Sequence, residues 1–193
     1  NKLLKIPFSI KLIRFIEEIS QNYQGKGHGW GIESIENEVK NCLSLLKINP
    51  KIFIDIGANK GEYTNFLLKV KPNLECHLFE PSELNIKHLK KEFSLKKQVI
   101  INQFALSDRN SKGKLYFAYE GAATASLTKR RLDHFDITMN KEENILVKRF
   151  DEYWKEEKGI IDYVKVDVEG HELDVLKGFG KFISVTKLIQ FEF

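Results

Sequence analysis

Residues 51–70 read KIFIDIGANKGEYTNFLLKV. The run 51–57 is short, nearly continuously apolar and closed by glycine, the pattern of a strand buried on both faces of a parallel sheet, where the usual alternation disappears. Behind it, Tyr63, Phe66, Leu67 and Val70 recur at helical spacing until Lys71-Pro72 stops them. The stretch therefore predicts a strand, a glycine-containing turn and a helix, half of a βαβ unit.

Working outward, LECHLFE (74–80) predicts a second strand, and Pro81-Ser82 opens a helix carrying Leu84, Ile86, Leu89 and Phe93. VIIN (99–102) predicts a third strand. The texture then changes: KLYFAY (114–119) and NILVKRF (144–150) read as antiparallel strands around a polar segment, EGAATASLTKRRLDHFD, expected to be a mobile substrate loop. IIDYVKVDVEG (160–170) returns to the buried-strand pattern, ELDVLKGFG (172–180) reads as a short helix ended by glycine, and KLIQFEF (187–193) as a last strand. Alternating strands and helices predict an α/β, doubly wound, Rossmann-like sheet with helices on both faces and an added antiparallel hairpin between strands 3 and 4. Ligands of such sheets bind beyond the carboxyl ends of the strands, which places the site just after residues 56, 80, 102 and 167. An apolar strand at a sheet edge is an aggregation hazard, so further C-terminal strands are expected beyond residue 193.

Upstream, Ser34 is positioned to cap a helix in which Ile35, Val39, Cys42, Leu43 and Leu46 recur at three- and four-residue steps, with Asn49-Pro50 behind it. Leu12, Phe15, Ile16 and Ile19 fall on one face of an earlier basic helix, which lacks the uninterrupted apolar run of a signal peptide. Residues 1–48 are thus expected to be a helical extension and 49–193 the main domain. Packing of the first helix on that domain is expected, with peripheral membrane contact as the second possibility.

The chain has 193 residues, 42% hydrophobic, enough for one ordinary core. Its 31 basic against 27 acidic residues leave a surplus of +4, too small and dispersed to announce a nucleic-acid partner. Cys42 and Cys76 each sit in an apolar run with no Cys or His at metal-ligand spacing, which predicts buried thiols, a reducing, cytoplasmic setting and no metal site. No apolar run reaches the length needed to cross a bilayer, so no integral membrane segment is expected.

The chemistry concentrates in Asp55-Ile56-Gly57-Ala58-Asn59-Lys60-Gly61. Gly57 and Gly61 let backbone approach a ligand closely, since a Cβ would collide with it or strain the turn. The spacing GxxxG differs from the dinucleotide fingerprint GxGxxG, and Asp55 ahead of it would repel a pyrophosphate. A ligand carrying an ammonium and a sulfonium would suit that carboxylate, directly or through water. Glu80, the last residue of the second strand, can accept hydrogen bonds from both hydroxyls of a ribose.

In this order, FIDIGANKGEYT, HLFEP, NQFALSD and DYVKVDVEGHELDVLKG resemble the FkbM family of methyltransferases over roughly residues 30–193. The resemblance implies a class I methyltransferase fold, S-adenosylmethionine as cofactor, and O-methylation of a hydroxyl on a sugar or polyketide-like small molecule. It implies that Gly57, Asn59, Gly61 and Glu80 line the cofactor, with Gln103 to Ala105 approaching the adenine and Asp167 near the transferred methyl; Asp55, Ala58, Tyr63 and Pro81 are expected to bind the cofactor beside them. The chain departs from the family at Glu169-Gly170-His171-Glu172, where the third residue is usually small.

Methyl transfer to a hydroxyl also needs a base. Asp167 and His171 are the candidate catalytic residues, with His134 behind them; Asp167 could instead cap the helix starting near Glu172, and His171 could be a helix-start or surface residue. Lys129, Arg130 and Arg131 read either as a solvated cluster or as capture of an anionic substrate. Asp167, Glu169 and Glu172 could bind a cation only if the strand continued past Gly170. The Gly25–Gly31 stretch reads as a lid or as a linker between helices. Three rival functions remain: amino-methylation of nucleic acid, disfavoured by DVEG where such enzymes carry an Asn/Asp-Pro-Pro-aromatic turn; a nicotinamide-dependent reductase, disfavoured by the missing fingerprint; and a non-catalytic module retaining the fold.

Overall fold

The structure, a computed structural model, describes residues 32–118, 125–128, 139–155 and 159–191. The readings placed on the first helix, Gly25–Gly31, Lys129–Arg131 and His134 lie outside the described residues. The chain divides into two compact units, residues 1–40 and 41–193.

Helix α1 spans Ile32–Leu46. Ser34 therefore lies inside its first turn. Strand β1 (Ile52–Ile56) is followed by α2 (Glu62–Val70), β2 (Glu75–Phe79), α3 (Glu83–Glu92) and β3 (Val99–Asn102). Short β4 (Ala105–Leu106), β5 (Ser111–Phe117) and β6 (Lys141–Lys148) come next, then the four-residue α4 (Phe150–Tyr153). The chain continues through β7 (Ile161–Val166), α5 (Glu172–Phe179), a 3-10 segment (Gly180–Val185) and β8 (Thr186–Phe191).

Five strands form one parallel sheet in the order β3-β2-β1-β7-β8. The order reverses at β1, which makes the β1/β7 carboxyl ends the switch point of a doubly wound α/β sheet. Strand parity sorts the helices onto two faces. Ile54, Ile56, Val164 and Val166 point to the side of α4 and α5, where they pack with Phe150, Trp154, Val175 and Phe179. Phe150 and Phe179 stack with ring centroids 4.0 Å apart. Each such fully buried side chain contributes about 1.5–3 kcal/mol. On the other face Phe53 stacks on Tyr63 of α2.

The hairpin between strands 3 and 4 of the main sheet is present. β5 pairs antiparallel with β6, β4 runs parallel to β6, and the alternating residues Leu115, Phe117, Ile145 and Val147 make a small second core. The structure departs from the expected helix faces at two points. Leu84 and Val70 are exposed; α3 turns Asn85, Ile86 and Leu89 inward, and α2 buries Leu68 beside Leu67. Both cysteines are buried and unpaired by disulfide. Among the described residues no helix is long and apolar enough to cross a membrane.

Candidate functional site

Three turns meet at the switch point. The first, Gly57–Gly61, leaves β1 with Gly57 at φ 80°, Asn59 at φ 48° and Gly61 at φ 80°. Gly57 and Ala58 N–H both donate to Phe79 O (3.0 and 3.1 Å), which binds the turn to the end of β2. A Cβ on Gly57 would stand 1.9 Å from Asp167 O, and one on Gly61 would meet Phe93 and Leu89 at 2.6 and 2.7 Å. The atoms that such a Cβ would meet belong to the protein, so the glycines let the turn close on β7 and α3.

The second turn carries Glu80. Its Oε2 accepts from Asn59 N–H and its Oε1 from Ser82 N–H, both at 2.9 Å. Glu80 is 5% exposed. Burial pushes its carboxyl above the usual range, while the N–H groups of Ser82 and Asn59 and the Asn85 side chain oppose that rise. Asn59 Oδ1 is buried without a hydrogen-bond partner. A buried acceptor with no donor costs about 1–3 kcal/mol, so the position is built to receive one.

The third turn follows β7. Asp167 N–H donates to Ile56 O at 2.9 Å, and Asp167 Oδ2 accepts from Lys165 Nζ at 2.8 Å. Asp167 does not cap α5. Glu172 Oε1 reaches back instead, accepting from Gly170 N–H (3.0 Å) and Val168 N–H (3.3 Å). Glu169 and Gly170 turn through positive φ, 57° and 101°, which ends the strand direction. Among the described residues no cluster fit to hold a metal ion is present.

Between the turns lies a cleft lined by Gly57, Asn59, Glu80, Pro81, Asn85, Ala105, Asp167 and Glu169 and walled by Leu106, Leu115, Ala125, Ser126 and Leu127. Ser126 holds the wall in place: it pairs with Tyr116 in both directions, and its Oγ donates to Glu169 O at 2.9 Å. Glu80, Asp167 and Glu169 give the lining three carboxylates, and none of the lining residues is basic.

The other candidates lie elsewhere. Asp55 is wholly buried on the α2 side of the sheet, where its Oδ2 accepts from Thr64 Oγ1 and its Oδ1 has no partner. Burial raises its carboxyl pKa; the Lys165 charge and the Thr64 bond pull it back. Tyr63 points to the same side, its hydroxyl against Tyr163 and Gln190. Ala58 is buried, Gly61 packs on α3, and Gln103 is exposed beside the buried Phe104. His171 precedes α5, its Nε2 2.8 Å from Thr128 Oγ1, and does not line the cleft. Sequence reasoning missed Asn85, Leu115 and Ser126–Leu127. Only Leu115 carried a signal, the alternation of KLYF.

A family model described as Methyltransferase FkbM domain matches residues 55–193. The chain is 25% identical over 167 residues to 2-O-methyltransferase NoeI of Sinorhizobium fredii, covering 80% of this chain and 68% of that protein. Among solved structures, the plantazolicin methyltransferase BpumL in complex with SAH aligns over 93% of this chain and 51% of its own, with 13% identity and a TM-score of 0.44. Precorrin-6y C5,15-methyltransferase from Geobacter metallireducens GS-15 aligns over 77% and 55%, with 11% identity and a TM-score of 0.40. The chain thus spans about half the length of these structural matches.

Proposed function

The chain belongs to the FkbM family of S-adenosylmethionine-dependent methyltransferases, and on that premise we propose that it moves a methyl group from this cofactor to a hydroxyl of a small uncharged acceptor such as a sugar. One observation carries the reading: the cleft at the switch point is lined by three carboxylates and no basic residue. A pyrophosphate would be repelled there, whereas a sulfonium would be attracted. The buried, donorless Asn59 Oδ1 is a second point of fit.

When bound, S-adenosylmethionine supplies an electrophilic methyl on a positively charged sulfur. Glu80, whose oxygens are fixed by two backbone N–H groups, is oriented to accept from the ribose hydroxyls. Gly57 and Asn59 frame the same side. Asp167 has one oxygen held by Lys165, which leaves the other to orient the acceptor hydroxyl and take its proton. Leu115, Ala125 and Leu127 give the cleft an apolar wall. NoeI, a 2-O-methyltransferase, supports a hydroxyl as acceptor. Incubation with methyl-labelled S-adenosylmethionine and a panel of hydroxylated sugars tests the proposal. Label should move to a neutral sugar and depend on Asp167; transfer only to amines or to nucleic acid would refute it.

A further inference from the structure

We propose that the face at the amino ends of β1, β2 and β3, opposite the cleft, docks on an anionic lipid bilayer. The proposal does not rest on the methyl-transfer reading. Because the strands are parallel, the segments leading into them emerge on one side. Three of these read KINPK (47–51, before β1), KVKPN (69–73, before β2) and SLKKQ (94–98, before β3). They are stitched together: Lys71 Nζ donates to Asn49 Oδ1 and Gln98 Nε2 to Pro72 O, both at 2.9 Å.

The fifteen residues hold six lysines and no Asp or Glu, in a chain whose whole surplus is +4. Lys71 and Lys96 bond to the neutral side chains of Asn49 and Asn65, so those contacts leave the charge uncancelled. The three carboxylates of the cleft sit at the other end of the sheet. That opposition orients the molecule with its lysines toward a negative surface and its cleft toward water.

Charge alone would fit any polyanion. Apolar residues among the lysines decide between them: Ile48 is 40% exposed, Val70 45% and Leu95 93%. A phosphate backbone gives a protruding leucine nothing to pack on, whereas the acyl boundary of a bilayer does, and basic charge joined to an inserted apolar group is the two-part signal that holds proteins on membranes.

Sedimentation of the full chain with vesicles tests this, using phosphatidylcholine alone or in equal parts with phosphatidylglycerol. Each lysine near an anionic leaflet strengthens partitioning about fivefold. The protein should pellet with the mixed vesicles only, and less as salt rises. Lys69→Glu with Lys97→Glu, both at exposed positions, should weaken binding at least ~tenfold. Leu95→Ser should weaken it severalfold with every charge retained, and all variants should melt as the parent does. Leu95→Trp should add a blue-shifted emission on vesicle binding. Failure of the parent to pellet, full binding by Leu95→Ser, or tighter binding to duplex DNA at the same salt would overturn the proposal.

Discussion

Adding one methyl group to Gly57 should unfasten the turn on which the site is built. Its φ of 80° puts any L-residue in the left-handed region, a strain of about 1–2 kcal/mol. The new Cβ would stand 1.9 Å from Asp167 O. Relief requires the turn and the end of β7 to part by about 1.5 Å, given ordinary contacts of ~3.5 Å. That movement weakens the bonds from Asp167 N–H to Ile56 O and from Gly57 N–H to Phe79 O, each worth about 0.5–1.5 kcal/mol. The sum is roughly 2–5 kcal/mol, which in a chain of this size lowers Tm by roughly 4–20 °C. Gly170 is the control: its φ is 101° but a Cβ there meets nothing within 4 Å, so Gly170→Ala should show the strain alone, about 2–8 °C. Thermal melts of both variants compare them directly. If Gly57→Ala falls no further than Gly170→Ala, the close approach of the turn to β7 is not what demands glycine.

Two other carboxylates give predictions of opposite sign. Asp162 Oδ2 accepts from Lys51 N–H (2.8 Å) and Ile52 N–H (3.2 Å), and its Oδ1 pairs with Lys187 (2.7 Å), tying β7 to β1 and β8. Burial works against its charge, but Lys187 and the two N–H groups win and hold its pKa below 3.8; its stabilisation is present above that value and lost as pH falls through the folded pKa. Asp162→Ala should therefore cost about 1.5–3 kcal/mol at neutral pH, read as a lower Tm, with the gap closing in acid. Asp55 is the reverse: burial raises its pKa above 3.8, so its contribution is present below that value and lost as pH rises through the folded pKa. The Tm of Asp55→Asn relative to the parent should rise between acid and neutral pH; a flat or falling difference would contradict the desolvation argument.

The parallel sheet was legible because each buried strand is a short apolar run punctuated by glycine or proline: β1, β2 and β3 stand within a residue of their readings, and the hairpin showed in the alternation around Leu115 and Ile145. What stayed hidden is long-range. A strand buried on both faces carries no parity signal, so nothing local told that Asp55 shares its face with Thr64 and not with the cleft. Tyr63 meets partners 100 and 127 residues away, in Tyr163 and Gln190. α4 is too short to show helical periodicity, and its first residue, Phe150, was read as the end of the preceding strand, yet α4 delivers Phe150 to the core. The cleft wall at Ala125–Leu127 comes from a segment without periodicity and owes its place to Tyr116 and Glu169.

Glu80 was expected near the switch point from its place at the end of a strand and Asn59 from the family resemblance, and both line the cleft. The structure adds the reason they act together: Asn59 N–H is a donor to Glu80 Oε2. A ligand held there senses one hydrogen-bonded unit spanning two strands.

The acidic cleft at the switch point is the claim on which the functional reading stands, and calorimetric titration with S-adenosylmethionine, set beside NADH, tests it most directly. The account predicts one equivalent bound, no heat from NADH, and a loss of about ten- to a hundredfold in affinity in Glu80→Ala. Binding of NADH in preference, or unchanged affinity for S-adenosylmethionine in Glu80→Ala, would contradict it.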